Sequence, residues 1–164
     1  MIIPAYNEEE SILNTVMSIV EYRKKVDFDL DYVVINDGSV DRTKEILDSH
    51  HLNAIHLVMN LGIGGAVQTG YKYALEKNYD VAVQFDGDGQ HDIESLDALL
   101  EPIRRQQADL VVGSRFIGDK SSEFQTTFMR RFGITIISAF IKLTTGKRIL
   151  DTTSGYRLAN RDII

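Results

Sequence analysis

The residues best suited to chemistry stand in one run, Asp86-Gly87-Asp88-Gly89-Gln90-His91, directly after the apolar stretch 81–85. Two carboxylates separated by a glycine can close on one cation. Mg²⁺ and Mn²⁺ favour such all-oxygen ligands, with substrate phosphates completing the shell. Gly87 and Gly89 permit the tight backbone this needs, Gln90 offers an amide oxygen and His91 an imidazole. The alternative is a polar loop that caps the next helix through Asp92. An EF-hand is excluded, because His91 stands where that loop requires its turn glycine. A second run, Asn36-Asp37-Gly38-Ser39-Val40-Asp41-Arg42-Thr43, carries a carboxylate at Asp37 able to accept hydrogen bonds from a base or ribose; a turn followed by an N-cap at Asp41 is the plainer reading. A third, Asn60-Leu61-Gly62-Ile63-Gly64-Gly65-Ala66, opens a helix, where Gly62 and Gly64 leave bare N–H groups for a phosphate. It follows the third strand, with Val67 where a dinucleotide fingerprint has its last glycine, so a tight turn with close helix packing remains equally open. Arg115, Arg130, Arg131 and Arg157 supply guanidiniums that grip phosphate oxygens in pairs, or ordinary surface charge.

The charge distribution agrees with this division. The 164 residues carry a net charge of −6, made of −12 over residues 1–103 and +6 over residues 104–164. An acidic first part suits a cation site, and a basic end suits an anionic ligand or a membrane surface. It argues against general nucleic-acid binding, which wants a basic face. No cysteine is present, which removes thiolate chemistry, disulfides and cysteine-ligated zinc. No window has 18 apolar residues and no basic-then-apolar leader is visible. The most apolar stretch, 132–143, is too short to span and carries Lys142. With Phe128, Met129, Ile136, Ile137, Phe140 and Ile141 near helical spacing beside Arg130, Arg131, Lys142 and Lys147, it reads as an interfacial helix or a core helix.

Elements that hold these runs in place follow from periodicity. Short β-branched stretches predict strands over 1–4, 32–36, 54–57, 81–85 and 110–113. Helical patterns lie between them over 8–25, 41–50, 64–77 and 93–105. Ile12, Leu13, Val16, Ile19 and Val20 mark the core face of the first, with Ser11 or Asn7 as its cap and Glu8-Glu9-Glu10 at its positive end. Asp41 reads as the N-cap of the second, which turns Ile46 and Leu47 to the core. A helix start is expected at Asn160-Arg161-Asp162. The alternation predicts an α/β fold, with a Rossmann-like, mainly parallel sheet and helices on both faces. Ligands in such folds sit beyond the carboxyl ends of the strands, where the strand order reverses. The polar runs all fall at that edge.

Taken in order, these residues resemble the family 2 glycosyltransferases of GT-A fold. Ile3-Pro4-Ala5-Tyr6-Asn7-Glu8 resembles the family's P-x-Y-N-E opening, Asp37-Gly38-Ser39-Val40-Asp41-Arg42-Thr43 its D-G-S-x-D-x-T, and Asp86-Gly87-Asp88 its D-x-D metal motif. The third-strand loop, 86–91, Val112-Gly113-Ser114-Arg115-Phe116 and Asp151-Thr152-Thr153-Ser154-Gly155-Tyr156-Arg157 look like the polyprenyl-phosphate hexosyltransferases. Those enzymes make dolichol-phosphate mannose or bacterial undecaprenyl-phosphate glucose.

The resemblance implies an inverting hexosyltransferase using a nucleotide sugar, with UDP-hexose favoured over GDP-mannose, and Mg²⁺ or Mn²⁺. The acceptor would be a polyprenyl phosphate or another cell-envelope glycan acceptor, and the protein would be peripheral on the cytoplasmic face of the membrane. It allows self-association. By position, Pro4, Tyr6, Glu8 and Asp37 would hold base and ribose. Asp86 would lie by the donor, with Asp88 and Gln90 on the metal. Arg115, Arg131 and Arg157 would meet the sugar or the acceptor phosphate, and Asp151 would close the acceptor side as the candidate base if the acceptor were a hydroxyl. Residues 1–164 would form one domain, with a nucleotide half over 1–113 and an acceptor half over 114–164, short at its C-terminal end because such proteins usually run on for some tens of residues. Two other readings compete. One is a non-catalytic nucleotide-sugar-binding scaffold. The other is an aspartate-nucleophile phosphatase, whose D-x-D-G normally lies on the first strand and continues with Thr, where this chain has Gln90 on the fourth.

Overall fold

Short apolar runs, too short for helices and rich in branched residues, pair side by side. β1 (Ile2–Ala5), β2 (Val33–Asn36), β3 (Ala54–His56) and β4 (Val81–Gln84) are parallel wherever they meet. Helices α1 (Ile12–Arg23), α2 (Thr43–Ser49) and α3 (Gly62–Glu76) connect them, and α4 (Leu96–Arg104) leads to β5 (Leu110–Val112). A sixth strand, β6 (Arg157–Asn160), enters between β4 and β5, so the sheet order is β3-β2-β1-β4-β6-β5. The computed structural model describes residues 1–86, 93–113 and 155–164. Residues 1–111 and 156–164 make up one compact unit, which carries everything below; the other, 112–155, falls almost wholly outside the described residues.

β6 runs antiparallel to β4, with Gln84 opposite Arg157 and Val81 opposite Asn160. The sequence predicts a helix start at Asn160-Arg161-Asp162, and Asn160 does stand at the N-cap position of a 3₁₀ turn over Arg161–Ile163; the strand β6 that Asn160 also closes is not among the strands read from the sequence. Leu158 is fully buried, and that burial holds the segment in the sheet.

Alternate residues of each strand face opposite sides, as the pleat requires. Ile3, Val34, Val83, Phe85 and Leu158 meet Ile12, Val16 and Ile19 of α1, Leu47 of α2 and Leu96, Leu100 and Ile103 of α4. Ile2, Val33, Ile35 and Ala82 meet Ala66 and Ala74 of α3. Helices therefore cover both faces. The α3 face is lined by small residues, and at Gly70 a Cβ would stand 2.2 Å from Ile2 Cγ2.

β1 pairs with β2 along its whole length, but with β4 only at Ile2. The Val33 and Asp37 amides bond to Met1 and Ala5 carbonyls, whereas the Phe85 amide bonds to Ile2. By this alternation Pro4 faces β4, and proline has no N–H to give. The β1–β4 ladder ends there. The strand order also reverses between β1 and β4, and in a doubly wound sheet the ligand crevice belongs at that reversal, here beside Pro4.

Candidate functional site

Two loops at the carboxyl edge are tied into one surface. After β1 the chain turns at Asn7, whose φ is 57°. Its amide donates to Ser39 Oγ at 3.0 Å, and its Oδ1 accepts from the Val40 amide at 2.9 Å. The Glu8 amide donates to Thr43 Oγ1 at 2.8 Å, and the Glu9 amide to Asp41 Oδ2 at 3.1 Å. In return the Arg42 amide donates to Glu9 Oε2 at 2.9 Å. Asp41 Oδ1 accepts from both the amide and the hydroxyl of Thr43, at 3.0 and 2.6 Å. Desolvation pushes the Asp41 pKa upward. The hydrogen bonds from Thr43 and the Glu9 amide outweigh it and hold the carboxyl below its usual range.

These ties revise the helix starts read from sequence. α1 begins at Ile12, not Glu8, and no acidic residue lies in its first turn. The three glutamates instead precede the helix, where Glu8 and Glu9 bond across to other residues. Ser11 does occupy the cap position, but its hydroxyl donates to Glu8 Oε2 at 2.6 Å rather than capping an amide. Arg42 stands at the N-cap position of α2; Asp41, one residue earlier, accepts the Thr43 amide.

The third loop is drawn in by Asp37. This carboxylate is only 3% exposed, and its Oδ1 accepts from the Leu61 amide at 2.7 Å. The Gly62 amide donates to Asn60 Oδ1 at 2.9 Å. Two of the N–H groups at the mouth of α3 therefore already have protein acceptors, and the helix starts at Gly62 rather than Gly64. Between the loops Gly38 sits at φ +66°, and a Cβ there would stand 2.7 Å from the Met59 carbonyl carbon and the Asn60 nitrogen. Only glycine fits both the conformation and the approach.

On the other side of the crevice, Asp86 follows β4, and Gln84 Nε2 reaches its Oδ1 at 3.4 Å. Because β6 is antiparallel, its first residue, Arg157, lies opposite Gln84 at this same edge. Arg157 is also near Tyr71 of α3: burial raises that phenol's pKa and the guanidinium works against the rise. The structure thus brings Pro4, Tyr6, Glu8, Asp37, Gly62, Gly64, Asp86 and Arg157 to the carboxyl edge, with Tyr6 46% exposed. Asp88, Gln90, His91, Arg115, Arg130, Arg131, Asp151 and the apolar stretch 132–143 lie outside the described residues. Among the described residues no cluster of three His, Asp or Glu side chains converges, and no helix is long and apolar enough to cross a membrane. Gln84 and His56 escape the motif reading. Gln84's signal is a buried polar residue in an apolar strand.

The family profile for glycosyl transferase family 2 matches residues 1–164, and the chain belongs to that family. It is 34% identical over 169 residues to an undecaprenyl-phosphate mannosyltransferase of Micrococcus luteus, covering 99% of this chain and 66% of that protein. It is 31% identical to a UDP-N-acetylglucosamine–dolichyl-phosphate N-acetylglucosaminyltransferase of Methanococcus voltae, covering 100% and 70%. With a polyprenol monophosphomannose synthase of Mycolicibacterium smegmatis the figures are 29%, 100% and 62%. The chain therefore spans about two thirds of the length of these relatives. Among solved structures, glucosyl-3-phosphoglycerate synthase from Mycobacterium tuberculosis, in complex with Mn²⁺, UDP-glucose and phosphoglyceric acid, superposes with a TM-score of 0.68 at 20% identity, over 98% of this chain and 55% of that one. Mannosyl-3-phosphoglycerate synthase from Rubrobacter xylanophilus gives 0.69 at 16%, over 98% and 53%. At those identities the likeness is one of fold: the sheet is that of the GT-A glycosyltransferases.

Proposed function

We propose that this chain is the donor-binding core of an inverting, metal-dependent hexosyltransferase that moves a sugar from a nucleotide to a polyprenyl phosphate. The observation that carries the reading is the reversal of strand order at Pro4, with the Asp37 loop on the β2 side and Asp86 and Arg157 on the β4 side. Relatives named as polyprenyl-phosphate sugar transferases supply the acceptor class.

In this reading Pro4, Tyr6, Glu8 and Asp37 hold the nucleoside. The donor set of Asp86, Asp88 and Gln90 is all oxygen, which fits Mg²⁺ or Mn²⁺. Such an ion, when bound, neutralises the diphosphate as it leaves. An acceptor phosphate oxygen bonds to the anomeric carbon from the opposite face. The bond from that carbon to the donor phosphate oxygen breaks, and the electron pair leaves with the nucleoside diphosphate. The acceptor is already anionic at neutral pH, so no base is obligatory. Arg115, Arg131 and Arg157 receive its charge, and positioning supplies much of the barrier lowering. UDP-hexose is the favoured donor and GDP-mannose the alternative. The reaction belongs at the cytoplasmic face of the membrane, where a lipid phosphate is presented.

The test is calorimetric titration of the whole chain with UDP-glucose, UDP-GlcNAc and GDP-mannose, each with and without Mn²⁺. Binding of one donor only when Mn²⁺ is present, lost in Asp88→Asn, is the expected result. Failure of every donor to bind a demonstrably folded chain overturns the reading.

A further inference from the structure

The strand β3 carries a histidine that no catalytic role explains, and it lies in a chain of hydrogen bonds leading into the crevice. His56 stands opposite Asn36 in the β2–β3 register. Its Nδ1 lies 3.0 Å from Asn36 Nδ2, and its Nε2 lies 3.1 Å from Asp48 Oδ1 on α2. Asn36 is 2% exposed, and its Oδ1 accepts from the Ser39 amide at 3.1 Å. Ser39 Oγ in turn accepts from the Asn7 amide.

The tautomer follows from these contacts. The Ser39 amide can only donate, so the Asn36 atom facing it must be the carbonyl oxygen. The Asn36 amide nitrogen then faces His56, so Nδ1 must be the acceptor. Neutral His56 therefore carries its proton on Nε2, pointing at Asp48. Turning the Asn36 amide over would set donor against donor at Ser39.

We propose that His56 is a positioning residue for the nucleotide end of the site. It holds the Asn36 amide in the one orientation that fixes Ser39, and through Ser39 fixes Asn7 beside Tyr6. The consequence for donor binding rests on the function proposed above; the latch itself does not.

Two substitutions separate the two ring nitrogens. In His56→Asn the new Oδ1 occupies the place of Nδ1 and keeps the acceptor for Asn36. In His56→Gln the side chain reaches toward Asp48 and leaves Asn36 without its acceptor. The first readout needs no donor: hydrogen exchange of the Ser39 amide, followed by NMR on the whole chain. Exchange is expected to quicken about three- to tenfold in His56→Gln, the worth of one hydrogen bond, and to stay within about twofold in His56→Asn. The second readout is the dissociation constant for the nucleotide sugar that wild type binds, with Mn²⁺ present, expected to rise by a similar factor in His56→Gln alone. Thermal melting of both variants separates a local change from a general loss of fold. Equal Ser39 exchange in both variants and wild type overturns the latch, as does equal quickening in both. A wild-type chain that binds no donor overturns the proposed function and leaves the exchange measurement to decide the latch.

Discussion

At the scale of single residues, the site edge is built by carboxylates that bond to backbone amides before any ligand arrives. Asp41 does this most fully, accepting from two Thr43 groups and the Glu9 amide. Replacing it with alanine orphans two amides and a hydroxyl, and is expected to cost about 1–2 kcal/mol at neutral pH. The pH dependence has a definite sign. The folded-state pKa is depressed, so the carboxylate's contribution is complete above the unfolded value of about 4 and is lost as pH falls through the lower folded value. Urea midpoints of wild type and Asp41→Ala should thus converge below about pH 4 and be parallel above pH 6; a gap unchanged at low pH refutes the assignment. The same residues measure what a sequence can tell. Asp41 is legible as an acceptor for a helix start because Asp before a helix has a local meaning, although it stands one residue ahead of the N-cap position, which Arg42 holds. Its bond to Glu9, like the bonds of Glu8 and Asn7, crosses between loops far apart in the chain and has no local signature. Asp37 is likewise legible as a polar residue at a strand end, but its burial under the third loop is not.

At the scale of elements, strand and helix identity is legible wherever an element buries a continuous or periodic apolar set. Four helices and five strands lie close to where the periodicity places them. α1 starts late because its glutamates serve the loops. β6 is missed because only Leu158 and Ala159 are apolar in it, and its partner is the distant β4. A strand specified by one buried leucine and a remote ladder gives little periodic signal. The packing of α3 on β1 is specified by what is absent. Alanine at Gly70 would gain about 1 kcal/mol of helix propensity. Its Cβ, however, would press into Ile2, a branched side chain that is 2% exposed. Overpacking of that kind costs about 1–3 kcal/mol, so Gly70→Ala is expected to be net destabilising by chemical denaturation. A stabilised variant would mean that α3 can move off the sheet without penalty.

At the scale of the whole molecule, the sheet brings the two sides of the crevice from different parts of the chain. β1 to β4 carry the Asp37 and Asp86 loops, and the last described segment supplies Arg157. Fold stability and site assembly are therefore linked through β6. Leu158→Ala removes a fully buried side chain from the strand that bridges β4 and β5, with an expected loss of about 2–5 kcal/mol. Donor affinity in that variant should fall along with the thermal midpoint; an intact melting curve would show that β6 is not integral. The same topology shapes the protein's birth on the ribosome. A nascent chain that has produced β4 at residue 84 must wait for residue 157 before that strand gains its outer neighbour. At about 5–20 residues per second the delay is on the order of several seconds. Through that interval β4 presents an open edge of the kind that recruits other chains, and β5 has no partner to its inner side. The nascent chain is thus most exposed to aggregation and to chaperone capture just before Arg157–Asn160 emerge to form β6.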